Sequence, residues 1–179
     1  MAKKPVRYGD KIEVVYSSER WRILAEFRRK AVQVVDVLRR HGLDSFVHGS
    51  IARGDVTKNS DIDVVIPYQV ASFIVETALR ELFPTFTERL IVQATPQHAP
   101  KAHIQVDERL TVTFPLAKLS RLEYEFYGFG GLVRFDQLER GERVELIDEI
   151  SFVREGVLDR FLNVQMAVDR ILFKIKGEW

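Results

Sequence analysis

Residues 61–67 read Asp-Ile-Asp-Val-Val-Ile-Pro, and no other stretch limits the fold of this chain so tightly. Asp61 and Asp63 alternate with Ile62, Val64 and Ile66, the period of a β-strand. Pro67 ends the strand, because it has no N–H for the ladder. Alternation puts the three apolar side chains on one face and both carboxylates on the other, about 6–7 Å apart along the backbone. The chain therefore needs a sheet with a core on one side. Two aspartates set among Ile and Val are costly without a compensating cation. Hard carboxylate oxygens suit Mg²⁺ (or Mn²⁺), which takes few protein ligands and completes its shell with water and phosphate oxygens.

The residues just upstream supply the complement. Residues 45–48 (Ser-Phe-Val-His) read as a buried strand that runs into Gly49 and Ser50. Glycine lets the backbone approach an anion, since no Cβ intervenes. The serine adds a hydroxyl, and amides at the start of a helix there would point at the same anion. Ten residues separate Ser50 from Asp61, room for a turn and a return strand. Arg53 follows one turn later. Its forked guanidinium suits phosphate oxygens, and a salt bridge to Asp55 or Asp61 is its other reading.

The rest of the chain alternates strands and helices. Residues 11–16 read as a short strand. Ser17 and Ser18 offer N-cap hydroxyls for a helix over 19–40, with Trp21, Leu24, Ala25, Ala31, Val32, Val35 and Leu38 on its apolar stripe and Arg28, Arg29, Arg39 and Arg40 off it. Gly42 sits where a helix C-cap is expected. Residues 51–58 read as a short helix or irregular loop, 72–82 as a helix, and 87–94 as a strand. Residues 102–106 and 110–115 form a hairpin turning at Asp107 and Glu108, and 117–127 read as a helix. Glycines within 128–131 mark a break and a domain boundary. The tail, 148–179, has the rhythm of two short helices.

Bulk properties narrow little. The chain has 179 residues, with 27 basic and 26 acidic side chains and a net charge of +1, so global electrostatics select no nucleic-acid partner. It has no cysteine, which excludes disulfides and Cys-based zinc sites. No apolar run approaches the 18 residues of a membrane span, and residues 1–7 lack the apolar stretch of a signal peptide. The expected location is the cytoplasm.

An apolar residue, Gly, Gly or Ser, about ten residues and then Asp-x-Asp between apolar neighbours is a family pattern. It is met here by Val47 or His48, Gly49, Ser50, Asp61, Ile62, Asp63 and Val64, with Arg53, Gly54 and Ser60 recurring in some versions. On these residues the chain resembles the polymerase-β-like nucleotidyltransferase superfamily, which includes the CCA-adding enzymes and the small minimal nucleotidyltransferases of prokaryotes. Residues 45–130 are similar to a group of archaeal predicted nucleotidyltransferases. The resemblance implies an α+β (α/β-like) domain over 1–130, with a mixed sheet of about four or five strands and helices packed on one side. A small helical extension would occupy 131–179. It implies metal-dependent transfer of a nucleoside monophosphate from an NTP, ATP among them, to an acceptor hydroxyl on a nucleic acid or protein. Asp61 and Asp63 would hold the metal, and Gly49, Ser50 and Arg53 the nucleotide. Some minimal members partner helical toxin proteins. The alternative is therefore a non-catalytic nucleotide-binding or antitoxin-like regulator, with a helical partner or a second copy of itself.

The chain departs from the pattern at one place. Transferring members carry a third carboxylate on a neighbouring strand, which completes a two-metal site and assists deprotonation. Residues 110–114 (Leu-Thr-Val-Thr-Phe) offer Thr111 and Thr113 instead. The nearest acids are Asp107 and Glu108 in the hairpin turn, then Glu123 and Glu125. Lys58, Lys101 and Lys118 read as surface lysines or phosphate contacts, and His48 as a core histidine. His98 and His103 lie in and just after the proline-flanked loop 95–100, and His98 is the one read either as facing the site or as a loop residue. Tyr124, Phe126, Tyr127 and Phe129 read as a packed seam or a stacking platform. The tail also resembles a helix-turn-helix, the basis of a DNA-binding alternative.

Overall fold

The computed structural model describes residues 17–141. The strand read at 11–16, the paired tail helices and most of the expected extension lie outside the described residues. Helix α1 (Ser18–Arg40) starts where Ser17 Oγ accepts the Arg20 N–H at 3.3 Å, and it stops at His41. Gly42 follows with φ +73°, a left-handed value that glycine adopts without strain. The buried face of α1 carries Leu24, Phe27, Ala31, Val34, Val35 and Leu38. Three assignments on this helix change. Trp21 and Ala25, expected on the stripe, are exposed, and Arg28, expected off it, is buried.

Among the described residues six strands form one mixed sheet: β1 (Phe46–His48), β2 (Ile62–Val65), β3 (Glu88–Val92), β4 (Lys101–Gln105), β5 (Leu110–Pro115) and β6 (Leu132–Arg134). Their order across the sheet is β3-β4-β5-β2-β1-β6. Strands β2 and β5 run parallel, and the other neighbours are antiparallel. The sheet is wider than the four or five strands expected. The addition, β6, is three residues long, too short to show a period, and it follows directly on the glycines read as a break.

Alternation sorts the sheet into two faces. Val47, Ile62, Val64, Ile104, Leu110, Val112, Phe114 and Val133 point into the main core, shared with α1 and α3 (Ser72–Leu79). Helix α5 (Phe135–Glu139) also packs on α1. On the opposite face Phe46 and Val65 meet Tyr127 of α4 (Arg121–Phe129) in a small second cluster. Helix α4 is held at its start by a capping box: Ser120 Oγ accepts the Glu123 N–H, and Glu123 accepts the Ser120 N–H. It covers the β1 end of this face, where Thr113 of β5 is also buried, and leaves Thr111 of β5 and Lys101, His103 and Gln105 of β4 partly open. No described helix is long and apolar enough to cross a membrane.

Candidate active site

Asp63 is the second residue of β2, paired across the ladder with His48 on one side and Thr111 on the other. Its neighbours Ile62 and Val64 are sealed in the core at 1% and 0% exposure. Its own side chain therefore faces away from α1, as the alternation required, and it is half-buried. Asp61 is exposed and stands just before the strand. Burial, and then the negative charge of Asp61, hold the Asp63 carboxyl above its ordinary value. Among the described residues no three His, Asp or Glu side chains gather into a metal cage. What the structure offers is a repelling pair of hard oxygen donors, a set that suits one divalent cation completed by phosphate oxygens.

The Gly-Ser turn approaches Asp63. Gly49 sits at φ 76°, ψ −143° as the N-cap of the one-turn helix α2 (Ser50–Arg53). A Cβ at Gly49 would lie 3.9 Å from Asp63 Oδ2. The bend and the carboxylate thus border one space, which a side chain at 49 would begin to fill.

A helix of four residues cannot hold itself in place, and α2 is fastened from two directions. From α1, buried Arg28 donates to the Ile51 and Ala52 carbonyls at 3.1 and 3.0 Å. From the junction between α4 and β6, the Gly131 carbonyl accepts both the Gly49 N–H at 3.0 Å and His48 Nδ1 at 2.9 Å. Arg53 donates to the Gly130 carbonyl. The glycines there are required by close approach. A Cβ at Gly130 would meet His48 Cε1 at 2.3 Å, and one at Gly131, φ +94°, would meet Arg53 Cγ at 2.7 Å. Residues 128–131 therefore clasp the turn rather than leading away from it. Neither Arg28 nor the Gly130–Gly131 clasp was found by sequence reasoning. The adjacent glycines were the available signal, read instead as a break.

The other candidates separate clearly. Arg53 also bridges Asp55 at 3.1 Å, so its guanidinium is engaged on both sides. His48 is a packed histidine, edge-on to Tyr127 at 5.1 Å, and burial pushes its imidazole below the usual value. Asp107 caps its own hairpin, accepting the Arg109 and Leu110 N–H groups, and is paired with Lys30 of α1, on the helical side of the sheet. Glu123 is buried with both oxygens occupied, by Ser120 and by the Ala99 N–H at 3.1 Å. Burial alone would raise its carboxyl, but these hydrogen bonds and Lys101 hold it below the usual range. Glu125 pairs with Arg121. Neither Asp107 nor Glu123 is a free third acid.

Lys58 bridges Glu19 at 2.8 Å. Lys101 lies over the Tyr127 ring at 5.3 Å. His98 is tied to Thr95 within its own loop. Lys118 lies apart from the turn, on a groove with Tyr68 and Arg121. Tyr127 belongs to the packed seam. Its phenol is pushed up to about 12 by burial and then by the charges of Glu123 and Asp63. Thr111 stands beside Asp63, and Thr113, one step along, is within 2.9 Å of His103 Nδ1 on β4.

The family model for the nucleotidyltransferase domain matches residues 28–150. Among solved structures, the chain is similar to Cid1 in complex with the UTP analogue UMPNPP, at 18% identity and a TM-score of 0.36, covering 55% of this chain and 31% of that one. It is similar to Cid1 with its short product ApU, at 19% identity and 0.34, with coverage of 55% and 31%. The Cid1 poly(U) polymerase with MgGTP bound gives 17% identity and 0.35, with coverage of 55% and 33%. The chain spans about a third of the length of these structures, and at these identities and scores the likeness says nothing of substrate. No curated protein matches the chain.

Proposed function

The chain belongs to the nucleotidyltransferase domain family, and from that premise we propose that it transfers a nucleoside monophosphate from an NTP to an acceptor hydroxyl, with pyrophosphate as the leaving group. Asp61 and Asp63 hold a divalent cation, Mg²⁺ or Mn²⁺. The Gly49 and Ser50 turn seats the terminal phosphates. The observation that carries this reading is the approach of the Gly49 backbone to Asp63 Oδ2 across a space that a Cβ would enter.

The chain's own residues divide the work as follows. Gly49 leaves room for phosphate oxygens next to the acids. Arg28, Gly130 and Gly131 hold the turn in register with β2, so the phosphate seat is set before the nucleotide arrives. Preorganisation of this kind spares the reorganisation that would otherwise accompany reaction. A bound divalent cation supplies neutralisation of the charge on the transferred phosphoryl group and the departing pyrophosphate. The acceptor is a hydroxyl on a nucleic acid or a protein.

Calorimetric titration of the full chain with Mg²⁺ and each NTP tests the assignment. Asp61→Ala or Asp63→Ala should abolish metal-dependent binding, and unchanged binding in both variants would refute it. One observation favours a second reading. Thr111 stands beside Asp63, where transferring relatives are expected to carry an acid, so the site would bind nucleotide without turning it over, as a regulator. Incubation with α-labelled NTPs, Mg²⁺ and mixed RNA or protein acceptors separates the two. Label transfer supports the enzyme, and tight binding without transfer supports the regulator.

A further inference from the structure

The partly open face of the sheet carries an imidazole, that of His103 on β4. In register, Asp63 lies beside Thr111, and Thr111 beside Gln105. One step along, Val65 lies beside Thr113, and Thr113 beside His103. Alternation directs all six side chains to the face away from α1, since their neighbours Ile62, Val64, Val112 and Ile104 fill the main core. His103 is therefore two strands across and two residues along from Asp63. Strand spacing and rise put their Cα atoms about 12 Å apart, a span that admits the α-phosphate and an attacking hydroxyl between the two side chains.

Elimination narrows the choice of proton acceptor. The hydroxyls of Thr111 and Thr113 do not accept a proton as bases at ordinary pH. Asp107 is turned to Lys30. Glu123 has both oxygens occupied. His48 is clasped to Gly131 and buried against Tyr127. Glu88 stands on the exposed edge strand, a full strand beyond His103. His103 is half-buried, its Nδ1 is tied to Thr113, and among the described residues Nε2 has no partner. With the Nδ1 proton donated to Thr113 Oγ1, the lone pair stands on Nε2, the arrangement of a base oriented by a third group.

We propose that His103, oriented by Thr113, is the general base that replaces the missing third carboxylate. This rests on the transfer reading of the site. Nε2 takes the proton of the acceptor hydroxyl as its oxygen bonds to the α-phosphorus. The bond from the α-phosphorus to the bridging oxygen breaks, and pyrophosphate leaves with that electron pair. The imidazolium then returns its proton to solvent. His103 is catalytic in this scheme, and Thr113 is a positioning residue. The groups facing His103 suit the role. Lys101 on its own strand supplies the nearby charge, β5 presents only the two threonines, and β3 presents Leu90, with Glu88 and Val92 on the diagonals. Burial, and then Lys101, depress the imidazole below its usual value, so it is neutral at pH 7.

The test uses the full chain, α-labelled NTPs, Mg²⁺, and three acceptors: a mixed RNA oligonucleotide pool, a protein mixture and water. In His103→Gln, kcat should fall by about 10²–10³-fold, with the calorimetric Kd for Mg-NTP unchanged. The wild-type kcat should rise with pH and level off below the usual imidazole value, and this limb should vanish in His103→Gln. Thr113→Val should lower kcat less and keep a displaced limb, and Thr113→Ser should restore the wild-type profile. Wild-type transfer without an acid limb, or undiminished kcat in His103→Gln, overturns the base assignment and leaves nucleotidyl transfer standing. The wild-type pH profile decides the matter even if the glutamine variant does not fold. Failure of the wild type to transfer to any acceptor overturns both.

Discussion

Replacing Gly130 by alanine should weaken the fold through a single identifiable contact. Gly130 has φ −72° and ψ −5°, a conformation alanine adopts freely, so the backbone raises no objection. The added Cβ would lie 2.3 Å from His48 Cε1. Carbon atoms pack at about 3.5–4.0 Å, so the imidazole has to retreat by about 1 Å or more. Two contacts oppose that retreat: the bond from Nδ1 to the Gly131 carbonyl at 2.9 Å and the edge-on packing against Tyr127 at 5.1 Å. Overpacking costs about 1–3 kcal/mol, and loss of the hydrogen bond about 1 kcal/mol more. Alanine restricts the unfolded chain, which returns about 0.4–1 kcal/mol. The net destabilisation should be about 1–3 kcal/mol. Urea unfolding of wild type, Gly130→Ala, His48→Ala and the double variant closes a mutant cycle. With residue 48 truncated, the methyl enters the space the ring left, and Gly130→Ala should become neutral or slightly stabilising. The coupling is therefore about 2 kcal/mol. An equal cost of Gly130→Ala in both backgrounds, within about 0.5 kcal/mol, would refute the clasp. Because Gly131 also holds the Gly49 N–H, the single variant should bind Mg-NTP more weakly, with binding partly restored in the double.

Two further outcomes follow from the carboxylates. Burial and Asp61 raise the folded-state value of Asp63. Its favourable contribution is thus complete below the unfolded value and lost as pH rises through the folded one. In EDTA, Asp63→Asn should raise Tm at pH 7 with little change in acid, while Mg-NTP should raise Tm in wild type and not in the variant. A metal-free variant less stable than wild type at pH 7 would contradict the argument. Glu123 is the opposite case, held low by hydrogen bonds that outweigh burial. Its contribution is present above the usual glutamate value and lost as pH falls through the folded one. Glu123→Gln should cost about 1–2 kcal/mol at neutral pH, converging on wild type in acid. A pH-independent gap between the two melting curves would exclude that account.

How much of this was legible in the residues depended on the range of the interaction. The strand read at 61–67 is shorter, Ile62–Val65, with Asp61 just before it, but the core face of Ile62 and Val64 and the opposite face of Asp63 follow from a period of two, which survives any tertiary context. The long helix and its Ser17 cap are local as well. The placement of Gly49 at a helix start was legible because a chemical need, close approach, restricts the residue type. Arg28 was misplaced because helical periodicity sorts side chains by polarity. A buried guanidinium satisfied by the Ile51 and Ala52 carbonyls obeys a different rule, one set by residues more than twenty positions away. Strand β6 failed for a related reason. Three residues carry no period, and their pairing to β1 is specified by the partner strand.

The same distinction bears on how such a site can work. Asp63 is positioned by a strand whose apolar side chains lock it into the core, with Asp61 just before it, and that lock is intrinsic to β2. The Gly49–Ser50 turn has no such anchor. Its helix is one turn long, its apolar residues are Ile51 and Ala52 alone, and every other restraint on it is borrowed from α1 or from the junction after α4. On the proposed reading, affinity for nucleotide therefore depends on residues that touch neither phosphate nor metal. A change at Arg28, Gly130 or Gly131 should then move the nucleotide Kd, whereas a change at Asp61 or Asp63 should remove its dependence on metal. The two classes of variant are distinguishable in one titration.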